Sequence, residues 1–447
     1  MKRDELIIFR DFTTDDLFER MTSIIDRATS ELVDGVFDPG SEKIRTDIYE
    51  CIHLFTEMAD LNGFFGNLWH CYIANLLVNE ENSYSVACEI RGNVNGSIND
   101  LALHDMEIIR EYFLFDLDKI AAVLDIPMLH LLTDYQAYNS GSKFYNTRVR
   151  DRICKLNEEF ERASNAEEML YDLTRFYGEY GVGKIGLHKA FRVEESDEGK
   201  DRAVIVPIRN IRHVKLDDLV GYEIAKKKLV DNTEAFVAGR PANNCLLYGE
   251  AGTGKSSSIK AITNTYYGMG LRVIEIYRHQ FRLLNDVISQ IKNRNYRFII
   301  YMDDLSFEEF ETEYKYLKAV IEGGLEKKPE NVLIYATSNR RHLIKESFRD
   351  RDGVDIADKH GGDTVQEKLS LAGRFGVSIY YGAPSFDEYQ EIVAELADRY
   401  GVTMDKDTLK SEATKWQMRH GGLSGRTAQQ FIDYVLGTLE EAEVEEV

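Results

Sequence analysis

Cysteine is scarce and scattered in this chain. The five residues, Cys51, Cys71, Cys88, Cys154 and Cys245, lie far apart, and no two form a C-x-x-C pair. That spacing excludes a compact thiolate metal site, and an odd count within apolar stretches predicts reduced, buried thiols. Proline is nearly as sparse, six in 447 residues, and its rarity before residue 181 suits long uninterrupted helices. No apolar run reaches the roughly 20 residues that a membrane-spanning helix needs. Positive charge is in deficit, 55 Lys and Arg against 77 Asp and Glu. The formal charge of −22 opposes bulk attraction to nucleic acid or to an anionic membrane, while leaving room for a local basic groove. Met1-Lys-Arg-Asp-Glu5 leads into a segment carrying Asp15, Asp16 and Glu19 rather than a secretory hydrophobic region, so the expectation is a cytoplasmic protein with no membrane contact.

What the chain does have is a 43% share of hydrophobic residues, ample for packed cores over about three domains. Up to about Gly181 the pattern is helical. Ile48, Cys51, Ile52, Phe55 and Met58 recur at spacings of three and four, as do Leu68, Cys71, Tyr72 and Leu76, and then Met106, Ile109, Phe113, Leu117 and Ile120. Such stripes are the core faces of amphipathic helices. Gly181-Val-Gly-Lys184-Ile-Gly186 imitates a phosphate loop but lacks its full spacing and a preceding strand. The charged stretch Glu194 to Arg202 is expected to be a linker. From Val204 short apolar runs alternate with helical patterns, as in a parallel α/β sheet. The expected strands are Cys245 to Tyr248, Arg272 to Ile276, Phe298 to Met302, Val332 to Tyr335 and Val377 to Tyr381. After Pro384 helices return, at Phe386 to Tyr400, Asp407 to Arg419 and Gly425 to Leu439, before an acidic tail from Glu440 to Glu446. The expected domains are 1–195, mostly helical; 196–384, α/β; and 385–447, a helical lid.

The most informative stretch is Gly249, Glu250, Ala251, Gly252, Thr253, Gly254, Lys255, Ser256, with the G-x-x-x-x-G-K-[ST] spacing of a P-loop. Small residues let successive backbone N–H groups wrap a phosphate chain without a Cβ in the way. Lys255 places a point charge at the β- and γ-phosphates of ATP, and the Ser256 hydroxyl ligates Mg2+. Ser257 to Thr263 then open a helix whose N-terminal dipole faces the same anion.

A second apolar strand ends in Asp303 and Asp304, at the strand end where α/β folds place ligands. Asp303 is positioned to hold magnesium directly or through water, and Asp304 to polarise the attacking water. Another strand ends in Thr337-Ser338-Asn339, whose amide can orient that water. Arg374 precedes the last strand, and Gly421-Gly-Leu-Ser-Gly-Arg426 opens the last helix, carrying Arg426 toward a phosphate.

This order of features resembles that of the AAA+ ATPases. In Val214 to Tyr222, Asn243 to Gly249, Asp303 to Phe307 and Ala336 to Leu343 it is similar to the bacterial AAA+ family catalogued as domain of unknown function 815. The similarity extends to Leu68-Trp69 and Glu81 to Ser85 in the N-terminal half. The resemblance implies an AAA+ P-loop domain with a parallel sheet and a small helical lid, behind a mostly α-helical N-terminal domain. It makes Asn339 sensor 1, Arg374 an arginine finger acting on a neighbouring subunit, and Arg426 sensor 2, so that a ring or open spiral of identical subunits is expected. Two departures stand out. AAA+ proteins mostly carry glutamate where this chain has Asp304, one methylene shorter, so hydrolysis is expected to be slow or to need a partner that closes the site. Ala372-Gly373 stands before the finger where Ser-Asp is the expectation.

Three functions fit this reading: an ATP-driven remodeller or loader of a protein or nucleoprotein partner, an ATP-dependent assembly switch in signalling or defence that hydrolysis resets, and a small-molecule kinase. Sensor and lid residues disfavour the kinase. An aromatic within Tyr277 to Phe281 would favour protein threading through a pore. The basic clusters Arg209 to Lys215 and Arg340-Arg-His342 leave nucleic acid possible but not favoured.

Overall fold

The computed structural model describes residues 2–34, 42–136, 145–196, 202–209, 211, 213–307, 313–322, 329–340, 343 and 371–444. The chain forms two compact units, Met1–His188 and Lys189–Val447.

The first unit is built from helices, including α1 Asp16–Asp34, α2 Glu42–Asn62, α3 Leu68–Asn79, α4 Ser83–Arg91, α5 Ser97–Phe113, α6 Leu117–Leu124, α7 Thr147–Arg162, α8 Ala166–Tyr180 and α9 Gly183–Leu187. The three expected apolar stripes lie on α2, α3 and α5–α6, and their residues are core except Ile52, Met58 and Leu76, which are partly buried and pack against it. Trp69 on α3 centres this core, flanked by the rings of Phe18, Phe55 and Tyr72, and its indole N–H donates to the Tyr112 carbonyl at 2.9 Å. A buried indole needs such a partner to offset desolvation. The fully buried Asp105 carboxylate accepts the backbone N–H groups of Ile7, Ile8 and Phe9, which fixes the segment before α1. The Gly181–Gly186 imitation is a packed corner. A Cβ on Gly183 would meet the Glu81 carboxylate, and Glu89 accepts the Val182 N–H at 2.9 Å. Two carboxylates beside a buried turn repel phosphate.

The second unit is organised on a seven-stranded sheet: β1 Ala190–Glu195, β2 Ala203–Pro207, β3 Cys245–Gly249, β4 Leu271–Glu275, β5 Arg297–Met302, β6 Val332–Ser338 and β7 Val377–Tyr381. The spatial order is β2-β1-β4-β5-β6-β3-β7. All neighbours are parallel except β1 and β2, which pair antiparallel. The five expected strands form, β3 to β6 with buried apolar runs and β7, at the sheet edge, with only Ile379 and Tyr381 buried. β1 and β2 were not expected, because both are short and only partly buried, and β2, at the sheet edge, ends in Pro207, so that sequence periodicity is weak there. Their hairpin overturns the expected linker: Glu194 and Glu195 pair with Val204 and Ala203, so the 195/196 boundary falls inside one sheet, and residues 197–201 lie outside the described residues.

Helices α10 Glu223–Val237, α11 Lys255–Tyr266, α12 Leu284–Ile291 and α13 Glu313–Glu322 connect or flank the strands. The lid follows as α14 Phe386–Arg399, α15 Lys406–Arg419 and α16 Gly425–Val444. It holds its own core of Tyr389, Ile392, Leu396, Leu409, Phe431 and Ile432. Of the acidic tail, Glu440 to Val444 extend α16.

Candidate functional site

Strand register sets the site. Tyr248 on β3 pairs with Ser338 on β6, and Met302 on β5 pairs with Ala336. Asp303 therefore stands level with Thr337, and Gly249 level with Asn339 two residues further on, so that all three lie at the sheet's C-terminal edge, the ligand-binding edge of such folds.

The loop from Gly249 to Gly254 leaves β3 through three left-handed glycines, Gly249 (φ 140°), Gly252 (φ 77°) and Gly254 (φ 89°), and turns into α11. No L side chain adopts this succession cheaply. Gly249 and Glu250 shape the loop rather than line the cavity. Their carbonyls accept Lys255 Nζ at 2.9 and 2.6 Å, and the Glu250 carbonyl also accepts the Thr253 hydroxyl at 2.8 Å. Ala251, Gly252, Thr253, Gly254, Lys255, Ser256 and Ser257 line a cavity of about 830 Å³ between sheet and lid, within the roughly 300–1,000 Å³ usual for small-molecule sites.

Opposite the loop stands a hydrogen-bonded polar group. Ser256 Oγ donates to Asp303 Oδ1 at 2.8 Å. Asn339 Oδ1 accepts from Lys255 Nζ at 3.1 Å, and Asn339 Nδ2 donates to Asp304 Oδ1 at 2.8 Å. Asp304 has a left-handed backbone (φ 49°), which aspartate tolerates better than most residues, and its N–H donates to Thr337 Oγ1 at 3.0 Å. Burial lowers the Lys255 pKa, against the opposing pull of Asp304, Asp303 and Glu250. Burial acts to raise Asp303, but hydrogen bonds from Thr337, Tyr301 and Ser256 outweigh it and hold its pKa below the ordinary carboxylate value. One hydroxyl and one ionised carboxylate suit magnesium, which keeps waters and substrate phosphates in its shell. Among the described residues no group of three or more His, Cys, Asp or Glu side chains forms a fuller metal cage.

The lid closes directly on the loop. The Arg426 N–H donates to the Gly252 carbonyl at 3.2 Å, and a Cβ on Gly252 would lie 3.0 Å from both Ser424 Oγ and Arg426 Cβ. Arg426 lines the cavity, as do Asp303, Asp304 and Asn339. Arg374 is exposed and is not among the lining residues. Of the two expected basic clusters, Arg212, Arg341 and His342 lie outside the described residues. His213, from the first basic cluster, lines the cavity instead of an outer groove. In the expected pore segment Phe281 is buried against Phe307, while Tyr277 is about half exposed.

Sequence reasoning missed the apolar wall of the cavity, Leu219, Val220, Tyr222, Ile392, Leu396 and Tyr400, which joins segments far apart in the chain. It also missed Tyr301 and Thr337, whose hydroxyls donate to Asp303 Oδ1 at 2.7 and 2.5 Å. Strand alternation signals Tyr301, two residues before Asp303 and so on the same face. Burial, then the Asp303 charge, raises the Tyr301 pKa and keeps it a donor.

Residues 187–439 match the family model described as "Protein of unknown function (DUF815)". The match leaves the N-terminal segments around Leu68-Trp69 and Glu81 to Ser85 outside it. The chain is also 36% identical over 77 residues to the replication factor C large subunit of Staphylothermus marinus, a stretch that is 17% of this chain and 18% of that protein. The chain thus spans under a fifth of that relative's length. Among solved structures it is similar to the Thermotoga maritima RuvB Holliday junction branch migration motor, with 16% identity over 52% of this chain and 67% of that one and a TM-score of 0.36. A mutant of the same motor gives 17% identity, 52% and 68% coverage and a TM-score of 0.36. No helix among the described residues is long and apolar enough to cross a membrane.

Proposed function

The chain belongs to the DUF815 family, with the AAA+ P-loop fold, and on that premise we propose that it binds and hydrolyses Mg-ATP as a homo-oligomer to remodel or load a protein or nucleoprotein partner in the cytoplasm. The observation that carries this reading is the Ser256–Asp303 hydrogen bond of 2.8 Å, because it closes the P-loop against the acidic strand end inside the cavity that Lys255, Asn339 and Arg426 also line.

Magnesium would neutralise charge on the phosphates. Ser256 and Asp303 would hold it. Lys255 exchanges its loop carbonyls for phosphate oxygens, and Asp304 polarises a water that Asn339 orients. Arg426 senses the terminal phosphate from the lid. Arg374, outside its own chain's cavity, supplies the finger to a neighbour, which is the reason for an oligomer. The similarity to a replication factor C subunit over 77 residues keeps a nucleoprotein among the partners.

A second reading, an assembly switch that hydrolysis only resets, draws on one observation. The short Asp304 carboxylate is engaged by Asn339 at 2.8 Å, so turnover waits on its release.

Calorimetric titration with Mg-ATP tests the first step. The intact chain should bind, and Lys255→Ala should lose binding while keeping its circular dichroism. Equal affinity in the two would remove Lys255 from the site, and no binding to the intact chain would overturn the reading.

A further inference from the structure

Asp303 is held more firmly than its place in a nucleotide site requires. Oδ1 accepts three hydroxyl donors, from Ser256 at 2.8 Å, Tyr301 at 2.7 Å and Thr337 at 2.5 Å, and none of the three reaches Oδ2. Tyr301 is 5% exposed, and its ring packs in the sheet core with Leu247, Ile259 and Leu333. A phenylalanine would fill that core as well, so the hydroxyl is the part the packing does not need. Ser256 can keep its proton on Oδ1 while its lone pairs face a cation. An oxygen that already accepts three donors has no capacity left for a fourth partner. Oδ2 is then the oxygen available to magnesium or to its water.

Resting on the Mg-ATP reading above, we propose that Tyr301 is a positioning residue of the magnesium site: with Thr337 it saturates Asp303 Oδ1 and reserves Oδ2 for the metal. The rotation of the Asp303 carboxylate is thereby set before nucleotide arrives. Without the phenol, one of the donors that fix the carboxylate is gone, and binding must order it. Outer-shell partners of this kind are worth about 10- to 100-fold in metal affinity.

The test is Tyr301→Phe in the full chain, read by a fluorescent ATP analogue. Nucleotide affinity in EDTA should match that of the unaltered chain. The Mg2+ concentration giving half-maximal enhancement of binding should rise about tenfold, and Mn2+ electron paramagnetic resonance should show the same loss of bound metal. Thr337→Val should shift the midpoint in the same direction, and Thr337→Ser, which keeps the hydroxyl, should restore it. An unchanged midpoint in Tyr301→Phe overturns the proposal, as does an equal loss of affinity with and without magnesium, which marks a packing role. If Tyr301→Phe does not fold, the Thr337 pair decides: equal midpoints for Val and Ser overturn it. An unaltered chain whose nucleotide binding ignores magnesium overturns the Mg-ATP reading itself, a result distinct from an unchanged Tyr301→Phe midpoint beside a magnesium-dependent parent.

Discussion

Replacing Gly249 by alanine strikes the joint between sheet and phosphate loop. At φ 140° an added Cβ would lie 1.9 Å from the Tyr381 carbonyl oxygen and 2.7 Å from its carbon. An ordinary carbon–oxygen contact is about 3.3 Å or more, so β3 and β7 would have to part by more than about 1 Å. That movement breaks the hydrogen bond from the Glu250 N–H to the Tyr381 carbonyl, now 3.0 Å, which contributes about 1 kcal/mol net. The left-handed backbone adds about 1–3 kcal/mol for a residue with a Cβ, and residual overpacking a similar amount. We expect a loss of about 4 kcal/mol, large for a single methyl. The Gly249 carbonyl also accepts Lys255 Nζ at 2.9 Å, so nucleotide affinity should fall with stability. Because the chain has two compact units, the denaturant transition to follow is the one that Mg-ATP shifts. Gly268→Ala is the control, since its Cβ would meet nothing within 4 Å and should change stability by under about 0.5 kcal/mol. If Gly249→Ala unfolds with Gly268→Ala and binds nucleotide normally, the steric reasoning is wrong.

Asp304→Asn should keep ATP bound but slow turnover at least about tenfold, the low end for loss of a general base; phosphate release at the unaltered rate would remove Asp304 from the water-polarising role. Arg374→Ala should bind ATP normally yet hydrolyse it about 10³-fold more slowly if it is a finger. Mixing it with Lys255→Ala should restore some activity, and silence in demonstrably mixed assemblies would refute action in trans. In the lid, Ser385 Oγ accepts the Glu388 N–H at 3.3 Å while the Ser385 N–H donates to Glu388 Oε2 at 2.7 Å, so Ser385→Ala should cost about 1 kcal/mol. The backbone hydrogen bond from Ser385 lowers the Glu388 pKa below its usual 4.5. The contribution of this bond is therefore present above the unfolded pKa and lost as pH falls through the folded one, which melting curves of the parent and Glu388→Gln between pH 3 and 7 would check.

The sequence by itself determined the elements whose information is local. The four central strands β3 to β6 read as buried apolar runs because both faces of a parallel sheet are covered, β7 is an edge strand buried only at Ile379 and Tyr381, and the loop from Gly249 to Ser256 was legible because phosphate binding fixes residue types at fixed spacing. Asp303, Asp304 and Asn339 were legible as polar endings of such strands. The edge hairpin β1–β2 was not, since strands of five or six residues with one solvated face, next to a charged stretch of sequence, carry the same composition as a linker. Only the tertiary structure decided that Tyr301 and Thr337 meet on one oxygen of Asp303, because that depends on the register of β5 against β6. It alone set Arg426 on Gly252 and assembled the apolar wall from Leu219 to Tyr400, contacts made by folding the lid back over a loop more than a hundred residues earlier in the chain.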